Sequence, residues 1–80
     1  MPFELELPDL SAETEYATVL RWLKRVGDPV AAGEAVVEVE ADKANHEIEA
    51  PVSGRVVEIV AEEGDEIKTG TTLAVIEPDA

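Results

Sequence analysis

Residues 20–40 read LRWLKRVGDPVAAGEAVVEVE, and residues 57–77 read VEIVAEEGDEIKTGTTLAVIE. A shift of 37 positions superimposes the two stretches, and seven positions then carry identical or similar residues. In the first stretch these are Gly27, Asp28, Val30, Gly33, Val36, Val39 and Glu40, which match Gly64, Asp65, Ile67, Gly70, Leu73, Ile76 and Glu77. The chain therefore contains an internal duplication, and we expect both copies to share one local structure.

The second copy indicates which structure this is. Residues 55–60 are rich in β-branched side chains and follow the turn-forming sequence Pro51-Val52-Ser53-Gly54, so they predict a strand. Residues 17–26 of the first copy also fit a helical apolar stripe, but the duplication favours a strand there too. Further strands are predicted at about 3–7, 35–40, 45–50 and 72–77, where polar and apolar residues partly alternate.

Four glycine-containing turns separate these strands. Their sequences are Gly27-Asp28-Pro29, Gly64-Asp65-Glu66, Ala32-Gly33-Glu34 and Thr69-Gly70-Thr71. Short strands that are closely spaced by turns, with no helix between them, predict a small all-β fold. We expect a flattened barrel or sandwich of two similar antiparallel sheets, related by an approximate two-fold axis. The domain is predicted to span residues 1–77, with 78–80 as the start of a linker.

Composition narrows the class of protein further. Eighty residues without cysteine make one small domain that has neither a disulfide framework nor thiolate metal ligands, and its core must be aliphatic. The net charge of −13 disfavours nucleic acid and anionic membrane surfaces and favours basic protein partners. No apolar run approaches the roughly 20 residues of a membrane span, and the N-terminus lacks the features of a signal peptide. We therefore expect a cytoplasmic protein, monomeric as an isolated domain.

The sequence between the two copies holds the candidate site. Glu40-Ala41-Asp42-Lys43-Ala44 is predicted to be the turn of a hairpin, and residues 77–80, which correspond to it in the second copy, contain no lysine. Asp42 favours a turn by hydrogen bonding to nearby backbone, and a hairpin tip directs Lys43 away from the core. This single lysine is a candidate for modification; the alternative is an ordinary solvated lysine among acidic neighbours.

The surrounding residues make the pattern more specific. Residues 39–44, 47–51 and 53–56, with both Gly-Asp turns, resemble the lipoyl domain of the dihydrolipoamide acyltransferase component of 2-oxo acid dehydrogenase complexes. That domain belongs to the biotinyl/lipoyl attachment family, whose fold is a barrel-sandwich hybrid. Pro8-Asp9-Leu10 and Arg21-Trp22-Leu23-Lys24 are similar to its first loop and second strand. The likeness covers about residues 3–77.

The resemblance implies a carrier rather than an enzyme. A lipoate ligase or lipoyl transferase would join lipoic acid to the Lys43 amine as an amide, with Asp42 and Ala44 as hairpin recognition residues. A thiamine-diphosphate decarboxylase component would reductively acylate this arm, and an acyltransferase would pass the acyl group to coenzyme A. A flavin-dependent dihydrolipoamide dehydrogenase would re-oxidise the dithiol. The source of the acyl group stays open between pyruvate, 2-oxoglutarate and a branched-chain oxo acid.

In this family the first loop helps the decarboxylase component to recognise its carrier. The corresponding segment here runs from Leu10 to Thr18 and is polar and acidic. Residues Leu10, Ser11, Glu13 and Glu15 are therefore candidate recognition residues, together with Glu40 on the hairpin. The alternative is a plain connecting loop.

No catalytic or metal-binding constellation is predicted. His46 is the only histidine and is interpreted as a strand residue; neither Ser11 nor Ser53 lies in a nucleophile motif. Calcium-loop and phosphate-loop spacings do not occur. Trp22 is predicted to be a core residue because its counterpart in the duplication is Ile59.

Three rival functions remain. A biotin carboxyl carrier domain shares the fold and the tip lysine, but that family usually flanks the lysine with methionines, whereas this chain has Asp42 and Ala44. An unmodified interaction module with the same fold would not need the Asp-Lys-Ala hairpin. The glycine-cleavage carrier also bears lipoyl-lysine, but it is longer and contains added helices.

Overall fold

The computed structural model describes residues 2–10, 15–41 and 44–79, and these form eight β-strands with no helix. The strands are β1 (Phe3–Glu6), β2 (Tyr16–Trp22), β3 (Pro29–Val30), β4 (Ala35–Ala41), β5 (Ala44–Glu49), β6 (Gly54–Ile59), β7 (Glu66–Lys68) and β8 (Thr72–Pro78). They make two antiparallel sheets, the first in the order β1-β8-β6-β3 and the second in the order β5-β4-β2-β7. The predicted all-β architecture of two similar sheets is confirmed.

The duplication in sequence is also a duplication in space. The shift of 37 positions carries β2, β3 and β4 onto β6, β7 and β8. Each short strand pairs with a strand of the other copy: β3 of the first copy pairs with β6 of the second, and β7 of the second pairs with β2 of the first. Each sheet thus needs strands from both copies, which locks the two halves into one folding unit.

Matching backbone hydrogen bonds show how close the symmetry is. The Gly27 N–H donates to the Val56 carbonyl at 2.7 Å, and the Gly64 N–H donates to the Val19 carbonyl at 2.8 Å. A β-bulge follows Val19 in β2, and another follows its counterpart Val56 in β6. The two copies therefore share the same irregularities as well as the same strands.

The backbone conformation of the two Gly-Asp turns explains why glycine and aspartate occur there. Gly27 and Gly64 have φ angles of 97° and 91°, a region that residues with a Cβ rarely adopt. The following aspartate closes each turn: an Oδ2 atom accepts the N–H of the residue three positions earlier, at 2.9 Å for Asp28 and 3.0 Å for Asp65. Glycine supplies the conformation and aspartate satisfies a backbone donor.

The core between the sheets is aliphatic, as predicted. Its largest fully buried side chains are Leu7, Val19, Val36, Val37, Val39, Val56, Leu73 and Ile76. No polar or charged residue is buried in the described part of the chain. Trp22 packs against this core and is partly buried, and its Nε1–H donates to the Ala61 carbonyl at 2.8 Å. The interpretation of Trp22 as a core residue is confirmed in this partly buried form.

Several predicted boundaries were wrong by a few residues. Pro29 and Glu66 begin the short strands β3 and β7 instead of ending turns. The loop predicted over 10–18 ends earlier, because Tyr16–Thr18 already belong to β2. Likewise Glu40, Ala41 and Ala44 are strand residues, not turn residues. In each case pairing with a neighbouring strand extends the regular structure.

The C-terminal boundary also falls later than the pattern indicates. Strand β8 includes Pro78, which lies opposite Gly54, and the Asp79 N–H donates to the Ser53 carbonyl at 2.9 Å. Sheet pairing therefore continues beyond residue 77. The assignment of residues 78–80 to a linker stays a prediction.

Candidate functional site at the end of the β4–β5 pair

The candidate site lies where β4 finishes and β5 begins. Ala41 lies opposite Ala44, and the next pair along the ladder is Glu40 with Asn45. Only Asp42 and Lys43 stand between the paired alanines in the sequence, and both lie outside the described residues. Two-residue connections are the commonest way of joining neighbouring antiparallel strands. The roles predicted for Asp42 and Lys43 stay predictions, but the strands that flank them are defined.

The inner face of this strand pair is anchored in the core. Val39 and Ala41 are 0 % and 3 % exposed, whereas Glu40, Ala44 and Asn45 are exposed. The alternation from Val39 to Ala41 follows from the two-residue period of a strand, whereas the first two residues of β5 are both exposed. The end of the pair is thus fixed from beneath by apolar contacts and open to solvent on its outer side.

The outer face near the site is acidic. Glu38 lies directly opposite Glu47, and like charges in such positions repel each other. Arg21 on β2 relieves part of this repulsion through an ion pair with Glu38, with 3.2 Å between Nε and Oε1. The arginine side chain is 64 % exposed, so the pair contributes at most about 1 kcal/mol. A negative potential remains at this end of the sheet.

The structure brings two of the predicted recognition residues to this same end. Thr18 pairs with Glu40, so β2 begins where β4 ends, and Glu15 immediately precedes β2. Both glutamates are exposed, and the Glu15 carbonyl accepts the N–H of Thr69 at 2.8 Å. Ser11 and Glu13 lie outside the described residues. Glu15 and Glu40 therefore lie at the same end of the second sheet, and their role in recognition stays a prediction.

Leu10 has a different environment from the two glutamates. It is partly buried and packs against the hydrophobic core. It also lines a groove together with Asn45 and His46 of β5. The first loop thus starts from an anchored residue that lies beside the strand following the candidate lysine.

Sequence reasoning missed this groove, which lies between β1 and β5. A signal was present: Phe3-Glu4-Leu5-Glu6-Leu7-Pro8 and His46-Glu47-Ile48-Glu49-Ala50-Pro51 share their charge pattern and final proline. These segments occupy equivalent positions, because β1 pairs with β8 as β5 pairs with β4. The similarity extends the internal duplication to the strands that line the groove.

Other polar groups take part in the fold. The Ser53 hydroxyl accepts the Ala32 N–H at 2.9 Å, and His46 is a partly buried residue of β5. Among the described residues, no group of three or more histidines, aspartates or glutamates has the arrangement of a metal site. That part of the chain also contains no helix long and apolar enough to cross a membrane.

Comparison with known proteins agrees with this geometry. A family model described as "Biotin-requiring enzyme", which covers biotin and lipoyl attachment domains, matches residues 3–76. The chain belongs to the biotin/lipoyl attachment family. The resemblance read from the hairpin and the Gly-Asp turns is thereby confirmed.

Several relatives of this biotin/lipoyl domain are components of 2-oxo acid dehydrogenase complexes. One is the dihydrolipoyllysine-residue acetyltransferase component of the pyruvate dehydrogenase complex of Corynebacterium glutamicum, 42 % identical over 95 % of this chain and 11 % of the relative. Another is the dihydrolipoyllysine-residue succinyltransferase component of the 2-oxoglutarate dehydrogenase complex of Staphylococcus saprophyticus, 41 % identical over 91 % and 17 %. A third is named pyruvate dehydrogenase E1 component subunit beta, from Rhizobium meliloti, 39 % identical over 99 % and 17 %. The chain spans less than a fifth of each of these proteins.

Two solved structures share the fold. The solution structure of the lipoyl domain of the Azotobacter vinelandii 2-oxoglutarate dehydrogenase complex has a TM-score of 0.75 and 31 % identity, and covers 95 % of this chain and 98 % of that domain. The Kluyveromyces lactis urea carboxylase has a TM-score of 0.79 and 31 % identity, over 96 % of this chain and 6 % of that protein. The backbone fold is therefore shared by a lipoyl domain and by a small part of a carboxylase.

Proposed function

We propose that this domain carries a lipoyl group on the Lys43 amine and transfers acyl groups from a thiamine-diphosphate-dependent 2-oxo acid decarboxylase component to an acyltransferase that uses coenzyme A. One observation carries the proposal: Asp42 and Lys43 occupy the two sequence positions between the paired Ala41 and Ala44. Relatives with dihydrolipoyllysine in their names support it.

The described residues around the connection fit an attached lipoyl arm. Ala41 and Ala44 are small, and Ala44 and Asn45 are exposed, so they leave the approach to the connection open to large partner enzymes. Val39 and Ala41 hold the strand pair in the core. The lipoyl group, when bound, supplies thiol–disulfide exchange and acyl carriage. The chain itself supplies a rigid base that raises the effective concentration of the arm at successive active sites.

Recognition by partners is assigned to two sets of residues. A lipoate ligase or lipoyl transferase would recognise Asp42, Lys43 and Ala44. The decarboxylase component would contact the first loop and the hairpin through Leu10, Ser11, Glu13, Glu15 and Glu40. The exposure of Glu15 and Glu40 at one end of the second sheet, and the net charge of −13, support an encounter with a basic surface. A flavin-dependent dihydrolipoamide dehydrogenase would complete the cycle, in the cytoplasm.

Biotin is the second candidate group. The family model described as "Biotin-requiring enzyme" supports it, and so does the fold shared with part of a carboxylase. The residues beside the lysine argue against it: Asp42 and Ala44 stand where biotin carriers usually have methionines, and Met1 is the only methionine of the chain. Lipoic acid is therefore the proposed cofactor.

Intact-mass measurement tests the choice directly. The domain would be expressed with lipoate plus a lipoate ligase and, separately, with biotin plus a biotin ligase, and peptide mapping would locate the adduct. We expect one lipoyl increment on Lys43 and no biotinyl increment. A biotinyl increment would replace the proposal with the carboxyl carrier, and no increment would leave an unmodified interaction module.

Two lysine variants make that measurement specific. Lys43→Arg should lose the increment and all acylation by the decarboxylase while keeping the unfolding midpoint of the wild type. Lys68→Arg, at an exposed position of β7, is the matched control and should keep the full increment. An unfolded Lys43→Arg variant would instead assign the lysine a structural role.

A further inference from the structure

The groove between β1 and β5 is a second feature of the surface, separate from the lysine connection. It has a volume of about 850 Å³ and is bounded by one edge strand from each sheet. Among the residues that the structure describes, each of these strands pairs on one side only, β1 with β8 and β5 with β4. The groove is thus the place where the two sheets of the sandwich meet along unpaired edges.

The floor of the groove is apolar. Leu5 and Ile48 occupy equivalent positions on the two strands and are 4 % and 5 % exposed. Phe3 and Leu10 also line the groove and are partly buried against the core. Because some of this apolar surface is accessible, covering it would be favourable.

The rim is acidic on both sides. Glu4 and Glu6 project from β1, Glu47 and Glu49 project from β5, and all four are exposed. Glu4 accepts a hydrogen bond from the Thr72 hydroxyl at 2.8 Å. No lysine or arginine of the described chain lines the groove. Two rows of carboxylates along a cleft with low-dielectric walls concentrate a negative potential in it.

The backbone of each strand adds a directional element. In the described hydrogen-bonding network, the edges of β1 and β5 that face the groove are not paired with another strand. An unpaired edge presents a row of N–H and C=O groups that can accept an additional strand from another chain. The groove therefore combines backbone pairing, an apolar floor and an acidic rim.

We propose that this groove binds an extended peptide of a partner protein in which lysines or arginines alternate with apolar residues. In an added strand, successive side chains point to opposite faces. One set would pack on the accessible apolar surface of Phe3 and Leu10, and the other would lie beside the rim glutamates, where opposite charges on neighbouring strands attract. The six residues of β5 set the length at roughly six residues.

The acidic rim of the groove favours a basic peptide over anionic ligands and over a second copy of the domain. Anionic ligands such as nucleic acid or an acidic membrane surface would meet the carboxylate rim and a chain of net charge −13. A second copy of the domain would bring an identical acidic strand against the first. The inference does not depend on the proposed lipoylation, since no groove residue named here is part of the Asp42–Ala44 segment.

Titration of the unmodified domain with acetyl-Lys-Val-Lys-Val-Lys-Val-amide tests the inference by ¹⁵N chemical shifts. We expect the largest shifts at residues 3–8 and 45–51. A peptide of the same composition with three consecutive lysines followed by three valines should bind about tenfold more weakly, a difference of about 1.4 kcal/mol. In an extended peptide, alternate backbone N–H groups point to opposite edges. N-methylation of the set that faces the edge strand of the domain should abolish binding, and N-methylation of the other set should not. Equal binding of both sequences, or shifts elsewhere, would overturn the proposal.

Two variants that lose the same number of charges distinguish binding at the groove from unspecific attraction by the net charge. Glu4→Gln, Glu6→Gln, Glu47→Gln and Glu49→Gln together should weaken binding at least tenfold. The control, Glu58→Gln, Glu62→Gln, Glu66→Gln and Glu77→Gln, removes the same charge at exposed positions outside the groove and should change binding less than twofold. Equal weakening in both would mean unspecific attraction. Concentration-dependent shifts at the groove without peptide would assign it to a second copy instead.

Discussion

The end of the second sheet that bears the candidate site has a counterpart in the first sheet. His46 lies opposite Val39 where β5 pairs with β4, and Phe3 lies opposite Ile76 where β1 pairs with β8. In the second sheet the two strands are consecutive and only Asp42 and Lys43 separate them in sequence. In the first sheet the equivalent strands are β8 and β1, which are far apart in the sequence. One scaffold thus offers two equivalent ends, and only one has a short connection.

This difference separates what holds the domain together from what it does. The core residues, Gly-Asp turns and bulges occur in both copies and serve the fold. Under the same shift Asp42 falls on Asp79 and Lys43 falls on Ala80, so the lysine occurs at one end only and belongs to the proposed function. Substitutions at equivalent positions of the two copies therefore test the symmetry, because a purely structural role should cost the same in each.

The largest effect is expected in the core. Leu73 and its counterpart Val36 are both 0 % exposed. Leu73→Ala should lower the free energy of unfolding by about 2–5 kcal/mol, because it removes buried carbon atoms and leaves a cavity. Val36→Ala removes fewer atoms and should cost roughly 2 kcal/mol. Urea unfolding measures both, and an equal or larger cost at Val36 would show that the two halves of the core are not equivalently packed.

The next largest effect on stability is expected at Gly54, where the two copies carry different residues. Its counterpart is Ala17, which is buried and carries a Cβ. A Cβ on Gly54 would collide with the Glu77 carbonyl and lie 2.8 Å from the Pro78 Cα. Gly54→Ala should therefore cost about 3 kcal/mol by forcing strands β6 and β8 apart, which urea unfolding would measure. The reverse change, Ala17→Gly, should cost only about 1 kcal/mol.

Substitution of the glycine in either Gly-Asp turn should lower the free energy of unfolding by the same amount. Apart from the neighbours in sequence, no described residue lies within 4 Å of the position that a Cβ would take at Gly27 or Gly64, so the expected penalty comes from the positive φ angle. Gly27→Val and Gly64→Val should each lower stability by about 1–3 kcal/mol, and by nearly the same amount. Thermal and urea unfolding of both variants checks this. A neutral result at either position would contradict the assigned turn conformation.

Much of this fold could be predicted from the sequence, because the duplication let each copy identify the other. Residues 17–26 alone are ambiguous between helix and strand, and the β-branched stretch 55–60 in the second copy resolves them. The short strands β3 and β7 could not be predicted, since two or three residues become a strand only by pairing with the other copy, as Val30 does with Gly54. Local patterns carry no information on such exchange.

For the candidate site and the groove, too, one part could be predicted from the sequence and the other could not. The Asp-Lys-Ala pattern and the acidic strands around it indicate Lys43 from the sequence alone, and the pairing of Ala41 with Ala44 defines the strands beside it. The β1–β5 groove was missed because its two walls are 43 positions apart in sequence and meet only through their separate partners β8 and β4. Tertiary arrangement, not local pattern, creates that surface.

The smallest effect is expected at Glu34, whose counterpart Thr71 carries no charge. Both backbone N–H groups donate the same turn hydrogen bond, at 2.9 Å to the carbonyls of Ala31 and Lys68, but within the described part of the chain only Glu34 adds side-chain bonds. Its Oε1 accepts the Ala31 N–H at 3.0 Å, and its Oε2 lies 3.0 Å from the Lys24 ammonium. The backbone hydrogen bond first, and Lys24 second, lower the pKa of the Glu34 carboxyl below its usual value.

The sign of the pH dependence at Glu34 follows from that lowered pKa. A carboxyl with a lower pKa in the folded state stabilises the fold at pH values above its unfolded pKa, and this contribution disappears as the pH falls through the folded pKa. Glu34→Gln should therefore lower the urea midpoint slightly at neutral pH and approach the wild type in acid. Thr71→Val should show a difference from wild type that does not change with pH. A pH-independent difference at Glu34 would mean that its turn, like that of Thr71, is held by backbone bonds alone, and that the charge there is an asymmetry without energetic consequence.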